Sequence, residues 1–123
     1  MSLTGSVVTT VSTEGIDELI AKYAAIPEIV AKYAALIVTE MQRLAPYDDR
    51  PSRPEGPHLR DTITAHLEAF AADITAGEGL PDGRAIFNEY GTAHMAARPY
   101  FRPAIERYVP GFLLELQALI GGV

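Results

Sequence analysis

The sequence predicts an α+β domain: a small antiparallel sheet with a β-hairpin, a long N-terminal helix pair and a C-terminal helix, the helices packed on one face of the sheet. Three observations predict it. Apolar residues recur at helical spacing through 16–44 and again through 98–123. Between these stretches, 59–70 and 72–77 carry the β-branched residues and alternation of strands. A Leu80-Pro81-Asp82-Gly83 run then brings turn chemistry ahead of a further apolar stretch.

Taken in order, residues 6–12 (SVVTTVS) read as a short edge strand, broken by Thr13-Glu14-Gly15. Residues 16–25 read as a short amphipathic helix with Ile16, Leu19, Ile20 and Tyr23 on one side. Pro27 removes a helical hydrogen bond, so a second helix is expected to start there and run to Leu44. Its stripe is Ile26, Val30, Tyr33, Ile37, Met41 and Leu44. Ala45-Pro46 ends it.

Residues 47–58 hold Pro51, Pro54, Gly56 and Pro57 among charges and predict a mobile loop. In 59–70, Ile63, Ala65 and Leu67 alternate with polar residues, while Leu59, Ile63, Leu67 and Phe70 also fit a helix; the Thr62-Ile63-Thr64 run favours a strand. The expected hairpin pairs 72–77 with 84–90 through the Pro81-Asp82-Gly83 turn. Residues 91–97 connect to a C-terminal helix over 98–123, entered through Pro99 or Pro103. Its stripe is Ile105, Val109, Phe112, Leu113, Leu116 and Ile120. Pro110 should kink or restart it, and Gly121-Gly122 should stop it.

At 123 residues the chain fits one domain, with enough length to bury a modest core. It has no Cys, which excludes disulfides and thiolate metal sites. Its formal net charge of −6 disfavours tight nucleic-acid binding, which draws on Lys and Arg. Residues 1–10 lack a basic stretch followed by a long apolar one, so no secretory leader is expected. No apolar run approaches the roughly 20 residues of a membrane span, so no membrane partner is expected. A soluble protein made in the cytoplasm is the simplest fit.

Catalytic, cofactor and metal constellations are absent from the sequence. His58, His66 and His94 have no ligand spacing between them, and isolated histidines are usually surface residues. Asp48-Asp49 falls in the expected loop, where no fixed carboxylate geometry can be held. Glu14, Asp17 and Glu18 sit where a helix N-terminus favours negative charge. No GxSxG or phosphate-binding glycine loop occurs. The rival reading, a small hydrolase or metal enzyme, would draw on His58, His66 and Glu68. A third is a small protein-interaction module.

The informative stretch is Glu89-Tyr90-Gly91-Thr92-Ala93-His94-Met95-Ala96-Ala97-Arg98-Pro99-Tyr100-Phe101-Arg102-Pro103-Ala104-Ile105-Glu106. Gly91 permits a sharp, positive-φ turn, and Thr92 can bond its own backbone there. Pro99 and Pro103 fix φ on either side of Tyr100-Phe101, holding the aromatics rigidly, and Pro103 suits a first helical turn. Arg98 and Arg102 would lie one turn apart if helical, both within reach of one acidic partner. Aromatic residues and Arg are favoured at interfaces. The same residues would also serve to anchor the last helix to the sheet.

This stretch resembles the hallmark of the neck, head–tail joining and tail-completion proteins of tailed bacteriophages. In that family a strand ends in Glu-aromatic-Gly-Thr, and Ala-Arg-Pro-aromatic-aromatic-Arg-Pro-Ala opens the last helix. A weaker match is Ala45-Pro46 followed by Leu59-Arg60-Asp61-Thr62-Ile63. The family's Thr-Gly between them is absent, and the loop is longer and richer in proline.

The resemblance implies a non-enzymatic virion component at the head–tail junction, assembled in the host bacterial cytoplasm. It implies a homo-oligomeric ring, with head-connector and tail proteins as partners and DNA passing through the channel without sequence-specific binding. No cofactor is implied. A ring needs a heterologous, closing interface, expected here from 72–90 and from Glu89, Tyr90, Gly91, Thr92, Arg98, Pro99, Tyr100, Phe101, Arg102 and Pro103. Tyr47, Asp48, Asp49, Arg50, Arg53, Leu59 and Arg60 are expected in a loop that orders on assembly, so an isolated subunit can be monomeric.

Overall fold

The computed structural model describes residues 13–47, 56–80 and 83–121, with side chains from Ile16 onward. The strand expected at 6–12, the loop residues Asp48, Asp49, Arg50 and Arg53, and the Pro81-Asp82 pair lie outside the described residues.

One helix, α1, spans Thr13–Leu44 without interruption. The expected restart at Pro27 does not occur. Pro27 removes only the hydrogen bond its own N–H would have made to Tyr23. The stripe keeps its phase across it, from Tyr23 and Ile26 to Val30, and helix propagation is cooperative. The expected pair of N-terminal helices is therefore a single long one.

After α1, a 3₁₀ turn at Leu59–Thr62 leads into β1, Thr64–Leu67. β1 pairs antiparallel with β2, Ala72–Thr75, placing Thr64 opposite Thr75 and Leu67 opposite Ala72. The turn closes with the Glu68 N–H on the Ala71 carbonyl at 2.8 Å. The hairpin thus lies one element earlier than the sequence predicts. Alternation in 59–70 supplied β2 with a partner, leaving 84–90 without a strand to join.

Arg84–Tyr90 forms a two-turn helix, α2. Its half-buried residues Ala85, Asn88 and Glu89 repeat at three and four, a helical period carried partly by polar side chains. Hydrophobic alternation cannot register that pattern. The last helix, α3, runs Phe101–Ile120, with Pro103 in its first turn and Pro110 inside it. It begins three residues later than expected and is continuous through Pro110.

The core sits where the C-terminal half of α1 meets the start of α3. Ile37, Met41, Ala45, Leu59, Ile63, Tyr100 and Ala104 form one buried cluster, with Met41 and Ala104 at 0% exposure. Leu59, expected in the mobile loop, belongs to this core. Ile74 and Leu80 close it from the hairpin side. Buried Thr62 ties the layers together: its hydroxyl donates to the Leu59 carbonyl at 2.6 Å and accepts the Gly77 N–H at 2.8 Å.

α1 and α3 run antiparallel, joined by ion pairs at two levels. Lys32 meets Glu115 at 2.6 Å, and buried Glu40 accepts Arg107 at 3.1 Å while also binding Arg43. Tyr33 packs on Phe112 at 5.4 Å between ring centres. Gly111 leaves room for it, since a Cβ there would come 3.3 Å from the Tyr33 hydroxyl. The register of these contacts carries Ile120, the end of α3, level with Pro27. The N-terminal stretch of α1 extends past its partner helix.

Candidate functional site

The Glu89-to-Arg102 segment folds into a clasp between α2 and α3. α3 has no side-chain cap from its own N-cap residue, Tyr100. Its free N–H groups turn instead to Glu89, on α2. Tyr100 N–H and Phe101 N–H donate to Glu89 Oε1 at 3.0 and 2.8 Å, and Arg102 N–H donates to Oε2 at 3.0 Å. A carboxylate at a helix N-terminus satisfies orphan donors and the macrodipole together. Burial opposes its charge, but these three N–H groups and Arg102 outweigh burial and hold the Glu89 carboxyl below its usual range.

The connection between the helices is equally constrained. Gly91 has φ 77°, and a Cβ there would fall 2.8 Å from Ala97 N and 2.9 Å from Met95 O. Thr92 and Met95 bond each other's backbones, and Thr92 Oγ1 accepts the His94 N–H at 3.2 Å. Arg98 N–H donates to the Asn88 carbonyl at 2.7 Å. Tyr100 is 2% exposed, and its hydroxyl donates to the Ala85 carbonyl at 2.9 Å. Burial, then the nearby Glu89 charge, pushes that phenol up to about 12.

These contacts sort the residues expected at an interface. Glu89, Gly91 and Tyr100 act within the fold, and Phe101 and Pro103 are half-buried beside them. Tyr100 therefore belongs to the core rather than to a presented aromatic pair. Tyr90, Thr92, Arg98, Pro99 and Arg102 are exposed, Tyr90 at 68%. Arg98 precedes α3, so it does not share a helical turn with Arg102. Arg107, near them in sequence, pairs with Glu40.

Beside the clasp lies an open groove of 470 Å³ between β2, α2 and the start of α3. Its lining includes Ile74 and Ala76 from β2 and the residue after it, Ile86, Glu89 and Tyr90 from α2, and Phe101, Arg102 and Ile105 from α3. Of the lining residues, Ile86 is 64% and Tyr90 68% exposed. The sequence reading included Ile86 only as part of the expected 72–90 hairpin. The signal for its true setting was spacing: Ile86, Phe87 and Tyr90 share an outward face once 84–90 is read as a helix.

Of the expected assembly loop, the described residues Tyr47 and Arg60 lie at its base. The Tyr47 ring stacks on His58 at 3.8 Å between centres, and the Arg60 guanidinium lies 3.7 Å from the Tyr47 ring centre. His66 is exposed on β1 and His94 in the Thr92–Met95 turn. Among the described residues, no group of three His, Asp or Glu side chains is placed to hold a metal ion. No helix among them is long and apolar enough to cross a membrane. No family model matches the chain, and neither a curated protein nor a solved structure matches it.

Proposed function

We propose that the chain is a structural, non-enzymatic component of the head–tail junction of a tailed bacteriophage or prophage, forming or completing a ring there. The observation that carries this reading is the 18-residue Glu89–Glu106 segment, with its resemblance to the neck and tail-completion proteins. The two halves of the motif are parts of one device, since Glu89 of the first half caps the helix that the second half opens.

Two further features support the reading. Tyr90, Arg98 and Arg102 are exposed on or next to the clasp, and Ile86 and Tyr90 expose apolar surface along the groove that Arg102 also lines. Such a patch, apolar with basic edges, is typical of a surface that meets another protein. The acidic balance suits a channel through which DNA passes without sticking. Connector and tail proteins are the partners this role requires.

The test is genetic and visual. The gene is deleted from the element that carries it, particles are induced, and they are imaged by electron microscopy. DNA-filled heads separated from free tails are expected, with joining restored by the supplied protein. Intact tailed particles from the deleted strain would overturn the reading.

A further inference from the structure

We propose that residues 83–99 form a strap, which opens from the body as one unit while the rest of the chain stays folded and so bares Tyr100 and the first turn of α3. This goes beyond the head–tail reading and does not depend on it.

The strap is lightly anchored. Tyr100, which follows it, is buried, yet no residue from Gly83 to Pro99 is, and Thr92 to Pro99 are all exposed. α2 turns its large apolar side chains outward: Ile86, Phe87 and Tyr90 are 64, 48 and 68% exposed. Its apolar contribution to the core cluster is the Ala85 methyl. Gly77 makes room for that methyl, since a Cβ on Gly77 would come 2.5 Å from Ala85 Cβ. The remaining hold on the body is mainly polar. Glu89 accepts the Tyr100, Phe101 and Arg102 N–H groups, and the Ala85 carbonyl accepts the Tyr100 hydroxyl. Each such hydrogen bond is worth little net, because water replaces it on opening. Segments with few buried apolar contacts open at the lowest cost.

The strap is also tied to itself. The Phe87 and Gly91 N–H groups donate to the Gly83 and Phe87 carbonyls at 2.9 and 2.7 Å, and Arg98 N–H returns to the Asn88 carbonyl at 2.7 Å. Asn88 Nδ2 donates to the Arg84 carbonyl at 2.8 Å. These bonds depend on docking, because α2 has seven residues. An isolated helix is marginal in water even at roughly 12–15 residues. Once Glu89 and Ala85 let go, α2 unravels and the internal bonds are lost together. Opening then removes the Ile86 and Tyr90 side of the groove and uncovers Tyr100, which is 2% exposed while the strap is closed.

Amide hydrogen exchange of the full-length chain, followed by NMR at urea concentrations below the unfolding transition, tests this. Phe87, Gly91 and Arg98 report the strap, and Ala34 and Met41 report the buried face of α1. The three strap amides should share one degree of protection, at least about tenfold below that of the α1 amides. Two conservative variants separate a strap from its rivals. Ile37→Val, in the core, should speed the α1 amides about fivefold and leave the strap amides unmoved. Tyr100→Phe deletes a tie between strap and body and should speed Phe87, Gly91 and Arg98 together, about fivefold for one hydrogen bond.

Strap amides that speed up with Ile37→Val would mean that the stretch opens only when the whole chain does. Strap amides unmoved by Tyr100→Phe would mean that they fray one by one. Exchange at the rate of an unfolded chain would mean that no closed strap exists. Each of these results would overturn the proposal.

Discussion

The two halves of α1 carry one apolar stripe and meet opposite fates. From Val30 to Met41 the stripe is buried against α3, the 3₁₀ turn and the hairpin, and it holds the core. From Ile16 to Tyr23 the same spacing faces outward. The register fixed by Lys32–Glu115 and Glu40–Arg107 places the boundary near Pro27, where α3 ends. Periodicity reports which face of a helix is apolar. It does not report how far the covering element reaches.

The sharpest break of this comparison is a pair of truncations. Met41→Ala empties a fully buried site and should lower unfolding stability by about 2–5 kcal/mol. Ile20→Ala, on the uncovered half, should stay within about 0.5 kcal/mol of wild type in the same dilute urea titration. Equal losses would mean that the overhang is packed within its own chain.

Next in size is the clasp. Gly91→Ala forces a Cβ against Ala97 N and Met95 O at a positive φ. A loss of about 1–3 kcal/mol is expected in urea titration. Glu89→Gln removes the charged cap of α3 and should lower stability by about 0.5–2 kcal/mol at neutral pH. The sign with pH follows from the lowered Glu89 carboxyl. Protons bind the unfolded chain more readily, so this contribution is full above the unfolded value of about 4.3 and is lost as pH falls through the folded one. Glu40 and Glu115 shift the same way, through Arg43 and Lys32 respectively. The Glu89→Gln chain should therefore lose less stability than wild type between neutral and acidic pH.

The smallest effect belongs to the exposed Lys32–Glu115 pair. Lys32→Gln should barely move the melting temperature, and the difference should vanish in high salt.

Much of this architecture was legible in the sequence, and the failures have specific causes. The buried stripe of α1 and the glycine turn at Gly91 follow from spacing and from φ, both local properties. The mixed α+β class follows from the order of patterns. The uninterrupted helix at Pro27 was not legible, because one missing hydrogen bond weighs less than an apolar face that stays in phase on both sides. The hairpin partner was misassigned because the Leu80-Pro81-Asp82-Gly83 turn signal pointed β2 forward to 84–90, although 59–70 carried the alternation. Only the inward turn of Asn88 and Glu89 distinguishes them. Leu59 was placed with the prolines it follows, although the 3₁₀ turn draws it into the core.

The candidate site was legible as a motif but not as a mechanism. Glu89 and Tyr100 stand eleven residues apart, and nothing local says that one caps the helix the other begins. Once that is known, the exposed remainder (Tyr90, Arg98 and Arg102) is what the clasp presents.

The most direct test of the account is the mass of the purified full-length chain in solution by light scattering, measured beside Arg98→Glu plus Arg102→Glu over a wide concentration range. The account predicts a discrete multimer for the wild type at the upper end of that range and, for the substituted chain, a monomer that still unfolds cooperatively. Equal masses for the two chains at every concentration would contradict it.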